Sequence, residues 1–136
     1  MNEIIEINGD ESILPIFSDP NFLFSQLFGA TTVKSDGKTF SAEIPLSKLL
    51  GGNSVVFYGN IYSSPSSVIY AFHVAGFEGN KGGRITINAV EGKIRISLEL
   101  DIPLGFLNER AIKSRIERFK KNADEIIRLE RIRRKI

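Results

Sequence analysis

Two periodicities divide the chain. From Thr31 to Ile102 apolar and polar residues alternate at a spacing of two, which predicts strands with one buried face, whereas from Ile112 onward apolar residues recur at steps of three and four, which predicts a helix. Ahead of both, Glu3 to Asn8 reads as a short strand, and a polar cluster around Asn8 to Ser12 turns the chain into the apolar segment Ile13 to Phe17. Ser18-Asp19-Pro20 then marks a helix start. Asp19 can accept hydrogen bonds from the first free N–H groups, and Pro20 at the first helical position sacrifices no donor. This helix carries Phe22, Leu23, Phe24, Leu27 and Phe28 and stops at Gly29.

Turn residues cut the alternating region into hairpins. Asp36-Gly37 tolerates the positive φ of a tight turn and joins a strand at 31–35 to one at 38–44, placing Val33 opposite Phe40. A loop containing Leu49, Leu50, Gly51 and Gly52 leads to a strand from Ser54 to Ser63, and Ser64-Pro65 turns it into a strand from Ser66 to Ala75. The glycine-rich GFEGNKGG follows, then Arg84 to Val90, the turn Glu91-Gly92, and Lys93 to Ile102.

A slip of one residue would invert every side chain, so agreement between successive registers tests the assignment. Centring on Ser64-Pro65 pairs Ile61 with Val68, Gly59 with Tyr70, Phe57 with Phe72 and Val55 with Val74. Centring the next turn on Gly79-Asn80 carries that apolar face to Ile85, Ile87 and Ala89, and Glu91-Gly92 carries it on to Ile94, Ile96 and Leu98. The other face collects Asn60, His73, Arg84, Thr86, Asn88, Arg95, Ser97 and Glu99, as in a meander with one buried and one wet surface. The last helix starts between Leu104 and Glu109 and runs close to Arg133, with Ile112, Ile116, Phe119, Ala123, Ile126 and Ile127 in one stripe. The sheet's apolar face is the surface large enough to receive that stripe. The expected fold is therefore α+β: a curved antiparallel sheet of about seven strands wrapped around a long C-terminal helix, with two short helices after the first strand.

Composition narrows the chemistry. The 136 residues match a single domain spanning 1–136, and 42% hydrophobic with 25% charged residues is a globular balance. Cysteine is absent, which excludes disulfides, thiolate metal sites and cysteine nucleophiles, and one histidine leaves little for catalysis or metal. No run approaches the ~18–20 apolar residues of a membrane span, and the start MNEIIEINGDE is unlike a signal peptide, so a cytoplasmic location is expected. The net charge of +2 conceals an acidic first part, up to residue 107, and a basic remainder. Because the basic residues alternate with apolar ones at helical spacing, they read first as a solvated helix face. Many isoleucines beside Lys, Arg and Glu also suggest heat adaptation in a thermophile.

The order strand, two short helices, six antiparallel strands and a long helix, carried by SDPNFLFSQLFG, the Asp36-Gly37 hairpin and VVFYGNIYSSPSSVIYAFHVAGFEGNKGGRITINAVEGKIRISLEL, resembles the helix-grip fold of the START-like superfamily. More narrowly, the chain is similar to a small family from thermoacidophilic archaea described as fatty-acid carriers. The resemblance covers nearly the whole chain and implies a hydrophobic cavity between sheet and final helix. Gly59 and Ala89, small among large neighbours, are compatible with room for a guest, although small strand residues also relieve curvature.

Catalytic and anion motifs are weak beside these patterns. His73 falls on the polar face without an acidic partner, and no Ser-His-acid set is identifiable. GFEGNKGG lacks the GxxxxGK(S/T) spacing and opens a strand, so it reads as a hairpin tip, with Phe77 a candidate cavity-entrance residue. A buried carboxylate needs a cation or several donors, yet the inner face offers chiefly the Tyr70 hydroxyl, with Asn122 or Arg115 able to reach in from the helix flank.

The resulting expectation is a non-catalytic carrier of a long-chain apolar ligand, a fatty acid first, with no cofactor, no metal, no nucleic-acid partner and no stable membrane insertion, transient membrane contact being compatible. Phe40, Phe57, Tyr70, Phe72, Ile85, Ile87, Leu98, Ile116, Phe119 and Ala123 would line the site, and Phe24 and Phe28 would close one end. Two alternatives stay open: a cyclase- or hydrolase-type enzyme using Tyr70 or His73, and nucleic-acid or partner binding through Arg128 to Lys135.

Overall fold

The computed structural model describes residues 1–46, 53–76, 81–101 and 106–136, the side chains of Phe106 and Leu107 excepted. The chain opens with strand β1 (Asn2–Asn8). Asp10 then caps a 3₁₀ turn (Glu11–Ile13) by accepting the Ser12 N–H at 2.9 Å, and helix α1 (Leu14–Phe17) follows. Helix α2 (Pro20–Phe28) is bounded as its sequence dictates. Asp19 accepts the Asn21 N–H at 2.9 Å, Pro20 occupies the first turn, and Gly29 adopts the left-handed φ of 67° that closes the helix.

Six strands follow, β2 (Thr32–Ser35), β3 (Thr39–Pro45), β4 (Ser54–Ser63), β5 (Ser67–Val74), β6 (Gly82–Val90) and β7 (Lys93–Asp101), and helix α3 (Phe106–Arg134) ends the fold. The sheet is wholly antiparallel in the order β1-β7-β6-β5-β4-β3-β2, so β1 joins the end of a meander by pairing with β7. The expected architecture is thus present, and the expected start of α3 overlaps the residues 102–105, outside the described ones.

Which side chains share a face is as the alternation predicts, while three of the four registers differ by even numbers of residues. Val33 lies opposite Ala42, and Phe40 opposite Ser35. Asp36 Oδ1 accepts from the N–H groups of both Lys38 and Thr39, at 2.9 and 2.8 Å, and this Asx turn centres the hairpin on Gly37-Lys38, one residue later than expected. Ser64 N donates to Ser67 O at 2.8 Å, which sets Ile61 opposite Tyr70, Gly59 opposite Phe72 and Phe57 opposite Val74. In the β5–β6 pair Tyr70 faces Ile85 and Phe72 faces Gly83, so the pairing is centred two residues earlier than Gly79-Asn80, which lie outside the described residues. The Glu91-Gly92 hairpin has the expected register, with Ala89 opposite Ile94 and Ile85 opposite Leu98.

The core lies between the sheet's apolar face and the helices. Ile112, Ile116, Phe119, Ala123 and Ile127 of α3 are buried in it, and α3 packs on α2 and β1. Two arginines tie α3 to the ends of α2. Arg115 Nη1 donates to the carbonyls of Phe28 and Pro45 at 2.9 and 2.7 Å, and Arg134 Nη2 donates to Asp19 Oδ2 at 2.6 Å. Such a partly enclosed charged pair contributes more than an exposed one, because less water competes for it.

Candidate functional site

All twelve residues expected at the site are buried in one hydrophobic cluster. Strand alternation brings Phe40, Phe57, Tyr70, Phe72, Ile85, Ile87 and Leu98 onto one face of the sheet, and helical spacing aims Ile116, Phe119 and Ala123 into the same core. The arrangement differs from expectation at α2. Phe24 does not close one end but takes part in the middle of the aromatic cluster: its ring stacks on Phe40 at 4.7 Å and meets Tyr70, Phe28, Phe72 and Phe57 at 5.4, 5.6, 5.8 and 6.4 Å. Phe28 adds an edge contact to Phe57 at 5.7 Å, and Phe57 stacks on Phe72 at 4.9 Å. These rings occupy the concave face.

The room expected at Gly59 is taken as well. A Cβ at Gly59 would lie 2.0 Å from the Ala71 carbonyl oxygen and 2.6 Å from Phe72 Cα, so this glycine permits close approach of β5. Ala89 sits half-buried at the edge of the core.

Among the described residues no buried polar side-chain atom lacks a hydrogen-bond partner. The buried Tyr70 hydroxyl donates to the Phe17 carbonyl at 2.6 Å, joining β5 to the end of α1. Burial pushes its pKa far above the ordinary tyrosine value, and the Asp19 charge adds to the effect, so the phenol stays protonated as a donor. Tyr70→Phe should cost about 1–3 kcal/mol, since it strands a buried carbonyl without a partner. Urea denaturation measures it, and an unchanged midpoint would show that the bond contributes nothing.

His73 is exposed on the opposite face of the same strand, its ring 5.9 Å from Tyr58, so Tyr70 and His73 do not meet in one site. The two candidates for a head-group contact are otherwise engaged. Arg115 is held by two carbonyls, with burial lowering its pKa, and Asn122 Nδ2 donates to Arg118 O at 2.9 Å. Phe77 lies outside the described residues. Among the described residues no group of three or more His, Asp or Glu is placed to hold a metal ion, and no helix is long and apolar enough to cross a membrane.

The basic segment Arg128 to Lys135 borders a surface cleft of about 460 Å³ with Asn8 and Asp124. Much of its charge is already paired. Arg128 donates to both Glu125 carboxylate oxygens, and Glu130 accepts from Arg133 and Arg134. The hydrogen bond from Arg133 holds the Glu130 carboxyl below the usual range. The two arginines that clamp α2 carry no distinguishing sequence signal. Asp19 is visible as a helix cap, but its second role as the partner of Arg134, 115 positions away, is a tertiary fact.

This geometry defines a class: an α+β domain in which a seven-stranded antiparallel sheet, two short helices and a long C-terminal helix enclose one apolar core. A family model whose description reads only "-like" matches residues 1–136, and the chain belongs to that family. It is 33% identical to a hypothetical protein from Sulfolobus tokodaii of known crystal structure, with a TM-score of 0.78 over 100% of this chain and 99% of that one. More distant likenesses share the fold: a Cytophaga hutchinsonii protein, 12% identical with a TM-score of 0.60 over 91% of each chain, and a Deinococcus radiodurans protein, 13% identical with 0.56 over 90% of this chain and 94% of that one. No curated protein matches the chain.

Proposed function

We propose that the protein is a non-catalytic carrier of a long-chain apolar ligand, a fatty acid first, acting in the cytoplasm as a START-like helix-grip domain, and that the acyl chain takes the place of the α2 aromatic rings on the concave face. One observation carries this reading: the rings over the centre of the sheet come from a nine-residue helix bounded by Asp19 at one end and the left-handed Gly29 at the other. A short segment between two turns can leave as a unit once its two end contacts, Arg134 on Asp19 and Arg115 on the Phe28 carbonyl, open, whereas α3, 29 residues long, stays as the outer wall. Exposing the five large apolar side chains that α2 buries, Phe22, Leu23, Phe24, Leu27 and Phe28, costs roughly 7–15 kcal/mol, the worth of about nine to nineteen methylenes at 0.8 kcal/mol each. Short acids therefore cannot displace α2 and long ones can. The buried Tyr70 hydroxyl is already donated to the Phe17 carbonyl, so the carboxylate stays at the solvent edge and affinity follows chain length more than head group.

Titration with saturated fatty acids of increasing length tests this. The expected result is no binding below about nine carbons and roughly fourfold tighter binding per added CH₂ above the threshold, accompanied by loss of amide-exchange protection in α2. Absence of binding at every length would reject the carrier reading. Binding with α2 still protected would reject the displacement.

A further inference from the structure

We propose that the outer face of the sheet pairs with the same face of a second copy of this chain, about a two-fold axis passing over Ser97. The inference rests on the pattern of outward side chains and is independent of the ligand. Along β7 the outward residues are Lys93, Arg95, Ser97, Glu99 and Asp101, two cations, a neutral centre and two anions. Such a ladder is complementary to its own reversal. When two copies meet face to face with their β7 strands antiparallel and crossing at Ser97, Arg95 of each faces Glu99 of the other, and Lys93 faces Asp101.

The neighbouring strands locate the axis independently. Pairing sets Ile4, Ser97, Thr86, Ile69 and Tyr62 in one line across the sheet, and that line carries no charge. Its two ends, Ile4 and Tyr62, are 62% and 57% exposed, and lying on the axis each would pack against its own counterpart in the second copy. Rotation about this line brings the adjacent rows together. Glu6 then faces Asn2, and Arg84 faces Asn88, so each of these charges meets an amide able to hydrogen-bond it. No like charges are juxtaposed among these positions. Isologous contacts of this kind are the commonest in soluble oligomers, and packed sheets stand about 10 Å apart, a gap that Arg and Glu side chains from both walls can span. The present intrachain pair of Arg95 with Glu6, at 2.9 Å, and that of Lys81 with Asp101, at 3.9 Å, are solvent-exposed and hold these side chains only weakly.

Sedimentation of the full chain at low ionic strength tests the pairing. The wild type should sediment at twice 15.2 kDa. Arg95→Glu and Glu99→Arg should each dissociate, with affinity reduced roughly tenfold or more by like-charge contacts. An equimolar mixture of the two variants should dimerise again, because the carboxylates of one then face the guanidinium groups of the other. A wild type that stays monomeric at high concentration, single variants that remain dimeric, or a mixture no more associated than its components would each overturn the proposal.

Discussion

Phe24→Ala should lose about 3–5 kcal/mol of folding stability, the cost of emptying a ring-sized site in a closed core. The estimate sits high in the range for a structural reason. Phe24 is fully buried and meets five other rings, three of them, Phe40, Tyr70 and Phe72, on strands β3 and β5, so neither helix nor sheet alone can collapse into the gap. Each favourable aromatic pair adds roughly 0.5–1.5 kcal/mol beyond area, though the pairs share one ring and do not sum. Phe22 on the same helix is the control. It meets Phe17 at 5.8 Å and retains 7% exposure, and its replacement by alanine should cost less. Equilibrium urea unfolding decides the matter: equal losses for the two variants would show that Phe24 is not the keystone of the aromatic cluster. With a total stability of about 5–15 kcal/mol expected for a domain, the Phe24 variant stands near the folding threshold.

The same contacts mark what the sequence could and could not disclose. Alternation alone placed Phe40, Phe57, Tyr70, Phe72, Ile85, Ile87 and Leu98 on one face, because side-chain direction has period two and survives any even shift in register. The register was legible at Glu91-Gly92, where the turn is centred on that dipeptide, and not at the hairpins after Asp36 and Ser64, which close one residue later than expected. At Asp36 the carboxylate captures two N–H groups, and at Ser64 the hairpin closes onto Ser67. The ends of α2 were legible because Asp19, Pro20 and Gly29 act locally. Its depth was not. Whether Phe24 caps an opening or fills the centre depends on how α3 draws α2 down, through Arg134 on Asp19 and Arg115 on the Phe28 carbonyl, and those contacts join residues 115 and 87 positions apart. Which residues share the inner face could be read from pattern, while how the space between them is filled required the tertiary packing.

Gly59→Ala should destabilise the protein at the upper end of the ~1–3 kcal/mol range for overpacking, although it adds only one methyl group. The new Cβ would meet the Ala71 carbonyl oxygen at 2.0 Å and the Phe72 Cα at 2.6 Å, and since both are backbone atoms, no side-chain rotation relieves the clash. The strands must part at the position where β4 and β5 carry the stacked rings of Phe57 and Phe72. Gly92→Ala provides the contrast. Gly92 has a φ of 78° but open space around it, so its substitution should bear only the conformational cost of a left-handed residue, about 1 kcal/mol. Thermal unfolding of both variants separates crowding from backbone preference. A Gly59 variant as stable as the Gly92 variant would mean that the sheet relaxes freely at this point, and that its close-packed inner wall is not held in shape by the glycine. A larger loss at Gly59 would instead identify the approach of β5 as what fixes the wall against which Phe24 packs, and with it the surface a displacing acyl chain would have to cover.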